Sequence, residues 1–245
     1  MRAMVFAAGL GTRLRPLTND RPKALVTLGG RTLLEIALAR LRSFGVREAI
    51  VNVHHFADQV VAYLAANGNF GMRIEVSREE ILLDTGGGLK KAAWFFDEPD
   101  EPFFVHNVDV LSGIDLARMA AFHRQHHALA TLAVEERATS RPLLFDAAGQ
   151  LRGRGGKINE PARDSHAQPF QPLAFAGIHV VSPGIFAKLG EEGAFSIVDA
   201  YVRLADQGES ILGFAAGGAY WRDLGRPENL AEAERDFEGG HDPAK

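Results

Sequence analysis

The 245-residue chain contains no cysteine. That absence excludes disulfides, thiolate zinc sites and a cysteine nucleophile, and it fits a reducing compartment such as the cytoplasm. Long apolar runs are missing too. The N-terminal apolar stretch is cut by Arg13, is too short to span a membrane, and is followed by no signal-peptide cleavage pattern. There are no internal repeats and no low-complexity linkers. Nor is there an excess of positive charge: 27 Lys+Arg stand against 31 Asp+Glu, a formal charge of -4, which argues against nucleic acid as the main partner. What is present is 46% apolar and 24% charged residues, the composition of a soluble globular protein with a large core. The length is generous for one domain and thin for two.

Positive charge is concentrated at one end. Residues 1–31 carry Arg2, Arg13, Arg15, Arg21, Lys23 and Arg31 against the single acid Asp20. An apolar strand over Ala3 to Ala7 breaks at Gly9 and Gly11. A glycine-rich turn after a strand exposes backbone N–H groups and lets a bulky anion approach. Basic side chains just beyond it suit a polyphosphate. Two familiar loops are ruled out. A dinucleotide fingerprint needs a third glycine where Leu14 stands, and Gly11-Thr12-Arg13 does not supply the Gly-Lys-Ser/Thr of a P-loop. On the two glycines alone, a plain strand–turn with solvated arginines stays open. Pro16 and Pro22 stiffen the excursion and hold Lys23 in place.

Further along, strand and helix signals alternate. Thr32 and Glu35 form a capping box before Leu34, Ala37, Leu38 and Leu41, and Gly45 closes that helix. A strand follows over Glu48 to Val53, a helix over Asp58 to Ala66 and a strand over Met72 to Ser77. This alternation predicts a parallel sheet with right-handed crossovers. Gly86, Gly87 and Gly88 then form a second close-approach loop opening a helix over Leu89 to Phe96. Pro102 to Asn107 is a nearly continuous apolar strand, as in the centre of a parallel sheet. It ends at Asp109, where open α/β sheets bind ligands, and magnesium favours one or two carboxylates plus phosphates. Asp109 is therefore a candidate metal ligand, since Asp115 already caps the next helix. His123 and His127 are spaced i, i+4, but no third ligand is near, so they are read as a solvated helix face. His54-His55 lines the cleft or a polar loop. A hairpin is expected around Ala148-Gly149, a strand with an internal Gly177 over Phe175 to Val181, a helix capped by Ser196, strands over Ile211 to Ala215 and Ala219 to Trp221, and a final helix over Glu228 to Phe237.

Gly9-Leu10-Gly11-Thr12-Arg13-Leu14-Arg15-Pro16-Leu17-Thr18, then Pro22-Lys23, resembles the opening motif of the sugar-1-phosphate nucleotidyltransferases. Trp221-Arg222-Asp223-Leu224-Gly225-Arg226-Pro227 resembles the motif that closes their catalytic domain, with Arg226 where the family has threonine. Other departures are Ala24 for the proline after the lysine, Val108 for the small residue before the acid, and no lysine after Glu160, for which Lys157 is the candidate replacement. The resemblance covers Met1 to about Phe237. It implies a Rossmann-like three-layer α/β sandwich with a mostly parallel mixed central sheet, of the nucleotide-diphospho-sugar transferase type. It further implies a single nucleotidyltransferase domain over 1–237, a sugar subsite mainly in 136–182, a flexible tail over 238–245, and no room for the β-helical domain that some relatives append.

The implied reaction moves a nucleotidyl group from an NTP to a sugar 1-phosphate and releases pyrophosphate, with Mg²⁺ as cofactor. The implied partners are small molecules only, with no nucleic acid and no membrane, in a cytoplasmic monomer or small homo-oligomer. Arg13 is assigned to the β- and γ-phosphates and Lys23 to the α-phosphate and attacking oxygen. Nucleotide contacts fall on Ala8, Gly9, Gly11, Thr12, Thr85, Gly86 and Gly87, sugar-phosphate contacts on Asn107, Lys157, Glu160 and Gly177, and metal contacts on Asp109 and Asp223. Asp84-Thr85-Gly86-Gly87-Gly88 looks most like the branch that joins UTP to N-acetylmuramate 1-phosphate. A GTP-dependent mannose- or heptose-1-phosphate guanylyltransferase, a transferase for a non-sugar alcohol phosphate, and a non-catalytic regulatory subunit that binds nucleotide sugars remain open.

Overall fold

The computed structural model describes residues 1–98, 100–155 and 170–238. Its organisation starts from strands that are apolar on both faces. In β1 (Ala3–Phe6), Ala3 and Val5 join one core while Met4 and Phe6 join the other. A strand of this kind has to be covered on both sides. The short ladder of β2 (Thr27–Leu28) and β3 (Arg31–Thr32) leads into α1 (Leu33–Ser43), then β4 (Glu48–Val53), α2 (Ala57–Ala66) and β5 (Arg73–Arg78). Next come α3 (Asp84–Lys91), β6 (Phe103–Asn107), β7 (Val110–Ser112), α4 (Leu116–Gln125), β8 (Ala130–Glu135), β9 (Leu143–Phe145) and β10 (Leu151–Arg154). The chain continues as β11 (Gln171–Val181), α5 (Ile197–Asp206), β12 (Ile211–Ala215), β13 (Trp221–Asp223) and α6 (Pro227–Glu238).

The central sheet has nine strands, in the order β10-β9-β11-β6-β1-β4-β5, with β8 paired to β11 and β12 paired to β8. The pairings set all strands in one direction except β10 and β11. Helices α1, α2, α4 and α6 cover one face and α3 and α5 the other. This is the mostly parallel, mixed α/β sandwich expected from the sequence. Parallel strands β1, β4 and β6 end at one edge, so the segments after Phe6, Val53 and Asn107 open on a shared surface.

Several local expectations need correcting. The Thr32 hydroxyl accepts the Glu35 N–H at 3.1 Å, but the Glu35 carboxylate turns to Arg31 and Tyr63, so only half of the capping box forms. Gly86, Gly87 and Gly88 lie inside α3 rather than in a loop before it. The last strand is Trp221–Asp223, two residues later than expected, because it pairs with β7. His123 is buried, not solvated: its ring nitrogens meet the Thr131 and Ser182 hydroxyls, each at 2.9 Å. Lys157, Glu160 and the tail over 239–245 lie outside the described residues. No helix among the described residues is long and apolar enough to cross a membrane.

Among the described residues, His123 belongs to a set of three buried histidines. His106 bonds the Asn107 carbonyl oxygen at 2.8 Å and His179 meets the Tyr201 hydroxyl at 2.9 Å. Burial pushes His106 and His123 down to about 4 and His179 down to about 3, from an ordinary 6.5. The unfolded chain therefore binds more protons than the folded one below pH 6.5. Stability is fully present above that pH and is lost as pH falls toward 4. The expected loss between pH 7.5 and 5.5 is about 1.4 kcal/mol per histidine. Urea unfolding at the two pH values measures it, and His123→Gln should cut the summed difference by about a third. Equal stabilities at pH 7.5 and 5.5 contradict this account.

Candidate active site

At the shared strand edge lies a cleft of about 380 Å³. Its lining comes from the ends of β1 (Phe6, Ala7, Ala8, Gly9), β4 (Asn52) and β6 (Asn107, Val108, Asp109), from Lys23, and from Leu82, Asp84, Thr85 and Ala194. Ligands of open α/β sheets bind at this kind of edge.

A charged cluster borders the cleft at Asp109 and is assembled from three distant stretches; Lys23 and Asp109 line the cleft, whereas Arg13 and Asp223 stand just outside its lining. After β6, Val108 donates its N–H to the Phe6 carbonyl at 3.1 Å, which keeps the turn beside the N-terminal loop. Asp109 then forms an ion pair with Lys23. Asp109 also accepts the Leu224 N–H on its backbone carbonyl at 2.7 Å. That bond continues the antiparallel pairing of β13 with β7, in which Asp223 stands opposite Val110. A Cβ on Gly225 would come 2.7 Å from Asp223 Oδ1, 3.2 Å from Asp109 Oδ2 and 3.0 Å from Arg13 Nη2. Both carboxylates and the guanidinium thus face one small volume that only glycine leaves free. Asp223 Oδ1 additionally accepts the Gly225 N–H at 2.7 Å, which fixes its rotamer.

The glycines divide by cause. A Cβ on Gly9 would have no neighbour within 4 Å, so nothing in the folded chain demands glycine there. Gly11 has φ +65° and its Cβ would touch Lys23 Cβ and Thr18 Cγ2 at 3.0 Å. It seats the base of the Lys23 side chain. Thr12 is exposed in the 3₁₀ turn that follows and does not line the cleft. A Cβ on Gly86 would fall 2.2 Å from the Phe195 ring, and one on Gly87 would fall 2.3 Å from the Gly193 carbonyl oxygen. Both are packing positions against 193–195; from α3 the cleft takes Asp84 and Thr85. This packing is zipped by main-chain bonds from Gly86 N to Phe195 O at 2.8 Å and from Phe195 N to Leu83 O at 3.2 Å. The Thr85 hydroxyl accepts the Ile197 N–H at 3.0 Å. Gly177, at φ +76°, lies where β11 slips register and would drive a Cβ to 2.8 Å from Asn107 Nδ2. It supports Asn107 from behind.

Three residues here have no signature in the sequence. Asn52 and Glu79 are polar, buried and bonded to each other under the cleft. Ala194 completes the wall from a segment that reads as an ordinary loop before a helix. Asn52 is a polar residue inside the buried strand Glu48–Val53, and its partner Glu79 comes from beyond the neighbouring strand. His54 bonds the Glu79 carbonyl and does not line the cleft. Among the described residues no group of three or more His, Asp or Glu side chains gathers for a metal ion, and Asp109 and Asp223 are two carboxylates that face one volume.

The sequence profile of one protein family, described as "Nucleotidyl transferase", matches residues 2–239. An N-acetylmuramate alpha-1-phosphate uridylyltransferase of Caulobacter vibrioides is 38% identical over 241 residues, covering 95% of each chain. A mannose-1-phosphate guanyltransferase of Aspergillus fumigatus is 28% identical over 94% of this chain, which spans 62% of that protein's length. Among solved structures, HddC from Yersinia pseudotuberculosis, complexed with GMP-PN, superposes with a TM-score of 0.77 at 21% identity, covering 96% of this chain and 99% of that one. At that identity the likeness is one of fold.

The two classes of glycine predict different behaviour. Gly86→Ala should cost about 1–3 kcal/mol or more, as overpacking does. Gly9→Ala should leave stability within about 0.5 kcal/mol of wild type. Chemical unfolding of the two variants checks this, and similar losses in both would remove the distinction.

Proposed function

The chain belongs to the nucleotidyl transferase family, and on that premise we propose that it transfers a uridylyl group from UTP to N-acetylmuramate 1-phosphate, releasing pyrophosphate. The observation that carries the reaction class is the meeting of Arg13, Asp109 and Asp223 around Gly225, with Lys23 on Asp109. The choice of substrates is supported by the relative that is 38% identical along almost the whole chain. A GTP-dependent transfer to a hexose 1-phosphate is the second reading, favoured by the more distant mannose-1-phosphate relatives.

The sugar phosphate is largely dianionic near neutral pH, since its second pKa is about 6. Its oxygen attacks the α-phosphorus, a new P–O bond forms, and the α–β bridging bond breaks with its electron pair leaving on pyrophosphate. No general base is needed, so positioning and electrostatics carry the catalysis. Backbone N–H groups after β1, around Ala8 and Gly9, receive the phosphates. Arg13 presents a fork suited to the departing pyrophosphate. Lys23 lies between the loop and Asp109, placed to follow charge at the α-phosphate. Thr85 and Ala194 border the nucleoside end of the cleft.

The donor set fits a magnesium ion. Asp109 and Asp223 offer hard oxygen ligands toward the same volume, and Gly225 keeps that volume clear. These two residues would hold the ion, which would neutralise and orient the phosphates.

Lys23→Ala and Asp109→Ala should each lower turnover by about 10²-fold or more, as lost electrostatic stabilisation does. Gly225→Ala should do the same while leaving the unfolding midpoint nearly unchanged, because its methyl meets only side-chain ends. A pyrophosphate-release assay reads all three, and near-normal rates would reject the assignment. The same assay with four NTPs against several sugar phosphates tests the substrates. Preference for GTP with mannose or heptose 1-phosphate overturns the choice of UTP, and nucleotide-sugar binding without any pyrophosphate release identifies a regulatory subunit instead.

A further inference from the structure

Under the cleft, a three-link chain of hydrogen bonds joins its two walls. The Ala7 N–H donates to Asn52 Oδ1 at 2.8 Å. Asn52 Nδ2 donates to Glu79 Oε1 at 2.7 Å. Glu79 Oε2 accepts the Leu83 N–H at 3.0 Å. Ala7 begins the loop that follows β1, and Leu83 sits between the cleft residues Leu82 and Asp84. Asn52 is 3% exposed and Glu79 is 5% exposed.

The chemistry at each link is forced. Ala7 offers only a donor, so Asn52 must turn its oxygen to it and its NH₂ to the other side. Glu79 then receives one donor on each oxygen. An amide in its place would present NH₂ to one of those donors; only a carboxylate accepts at both positions. Gly88 makes room for the link, since its Cβ would lie 2.8 Å from both Asn52 Nδ2 and Glu79 Oε1. No cationic side chain forms an ion pair with Glu79 among the described residues. A buried, uncompensated carboxylate beside a cleft for a polyanion is costly unless its acceptor pair is required.

We propose that Asn52 and Glu79 are positioning residues that set the separation between the phosphate loop and the Leu82–Thr85 wall, and through it the grip on the nucleoside triphosphate. This rests on the nucleotidyl transfer proposed above. Their bonds run to Ala7 and Leu83, on the two walls assigned to the nucleotide, and to neither Asn107 nor Gly177 among the sugar-phosphate candidates, so their effect falls on the NTP.

The test is a swap of bond polarity. Asn52→Asp puts two acceptors face to face, and Glu79→Gln sets NH₂ against the Leu83 N–H. In the double variant N52D/E79Q, the new carboxylate at position 52 accepts from Ala7 and from the new amide at position 79, whose oxygen accepts from Leu83. All three bonds and the net charge return. Steady-state kinetics are read with the NTP and sugar phosphate that the wild type uses, alongside thermal unfolding. Each single variant should raise KM for the NTP about tenfold or more, with KM for the sugar phosphate within about twofold. The double variant should recover most of that loss. Equal rises in both KM values, a fall in stability alone, or a double variant no better than its worse parent overturns the proposal. Should Asn52→Asp fail to fold, Glu79→Gln decides, and an unchanged KM for the NTP in that folded variant overturns the proposal. Wild-type turnover separates this from the functional reading: a wild type that turns over no NTP removes both, whereas an active wild type with indifferent variants removes only this one.

Discussion

One main-chain hydrogen bond, from the Leu224 N–H to the Asp109 carbonyl, holds the charged cluster at the border of the cleft together. Its energy is modest, on the order of 1 kcal/mol. Its geometric effect is large, because it fixes the register of β13 on β7. Side chains alternate faces along a strand, so a slip of one residue would turn Asp223 away from the cleft. The pairing of Trp221 with Ser112 and of Asp223 with Val110 leaves one register. The Trp221 indole strengthens it by donating to the Ala176 carbonyl at 2.8 Å, with the Arg137 guanidinium stacked 3.8 Å over its ring. Two acids far apart in the chain thus become neighbours through local strand pairing rather than through mutual attraction.

The glycines tell where space is reserved and for what. At Gly86, Gly87 and Gly88 the missing Cβ is replaced by protein: Phe195, the Gly193 carbonyl, and the Asn52–Glu79 pair. At Gly225 the neighbours are all charged side-chain ends, which converge without filling the space between them. At Gly9 there is no neighbour. A loop whose glycine is unneeded by the fold, on the edge where β1, β4 and β6 end, is open to something outside the chain. Close packing and close ligand approach ask for the same residue, and only the folded structure separates the two causes.

That ambiguity explains how far the sequence can be read. The strand–helix alternation to β5, the caps at Thr32, Asp115 and Ser196, and the double-faced apolar β6 follow from local periodicity and are visible in it. So are Lys23, Asp109 and Asp223 as candidates, since motifs carry residue types and order. The run Asp84 to Gly88 reads as a loop because glycine is a poor helix former. Its helix is kept by packing on 193–197, a tertiary effect that no local pattern records. His123 reads as solvated for a related reason: its partners Thr131 and Ser182 come from other parts of the chain. Asn52 and Glu79 give no signal because a hydrogen-bond chain across two strand ends has no spacing rule.

Charge balance connects these parts. The ionised side chains at the acidic end, Arg13 and Lys23 against Asp109 and Asp223, cancel. Lys23 and Asp109 are only 13% and 16% exposed, so neither charge is well hydrated by itself. Removing one would leave the other buried and uncompensated, which is a heavy cost. Such a site does not attract a polyphosphate by net charge. An incoming triphosphate has to bring its neutralising charge with it, or draw Lys23 off Asp109 and leave that carboxylate in need of another cation. On the nucleotidyl-transfer reading proposed above, a divalent ion held by Asp109 and Asp223 would supply that charge. In the reading proposed here, the acids do not oppose an anionic substrate. Asp109 and Asp223 would hold the cation that neutralises it, and Lys23 would be placed for the phosphate being transferred.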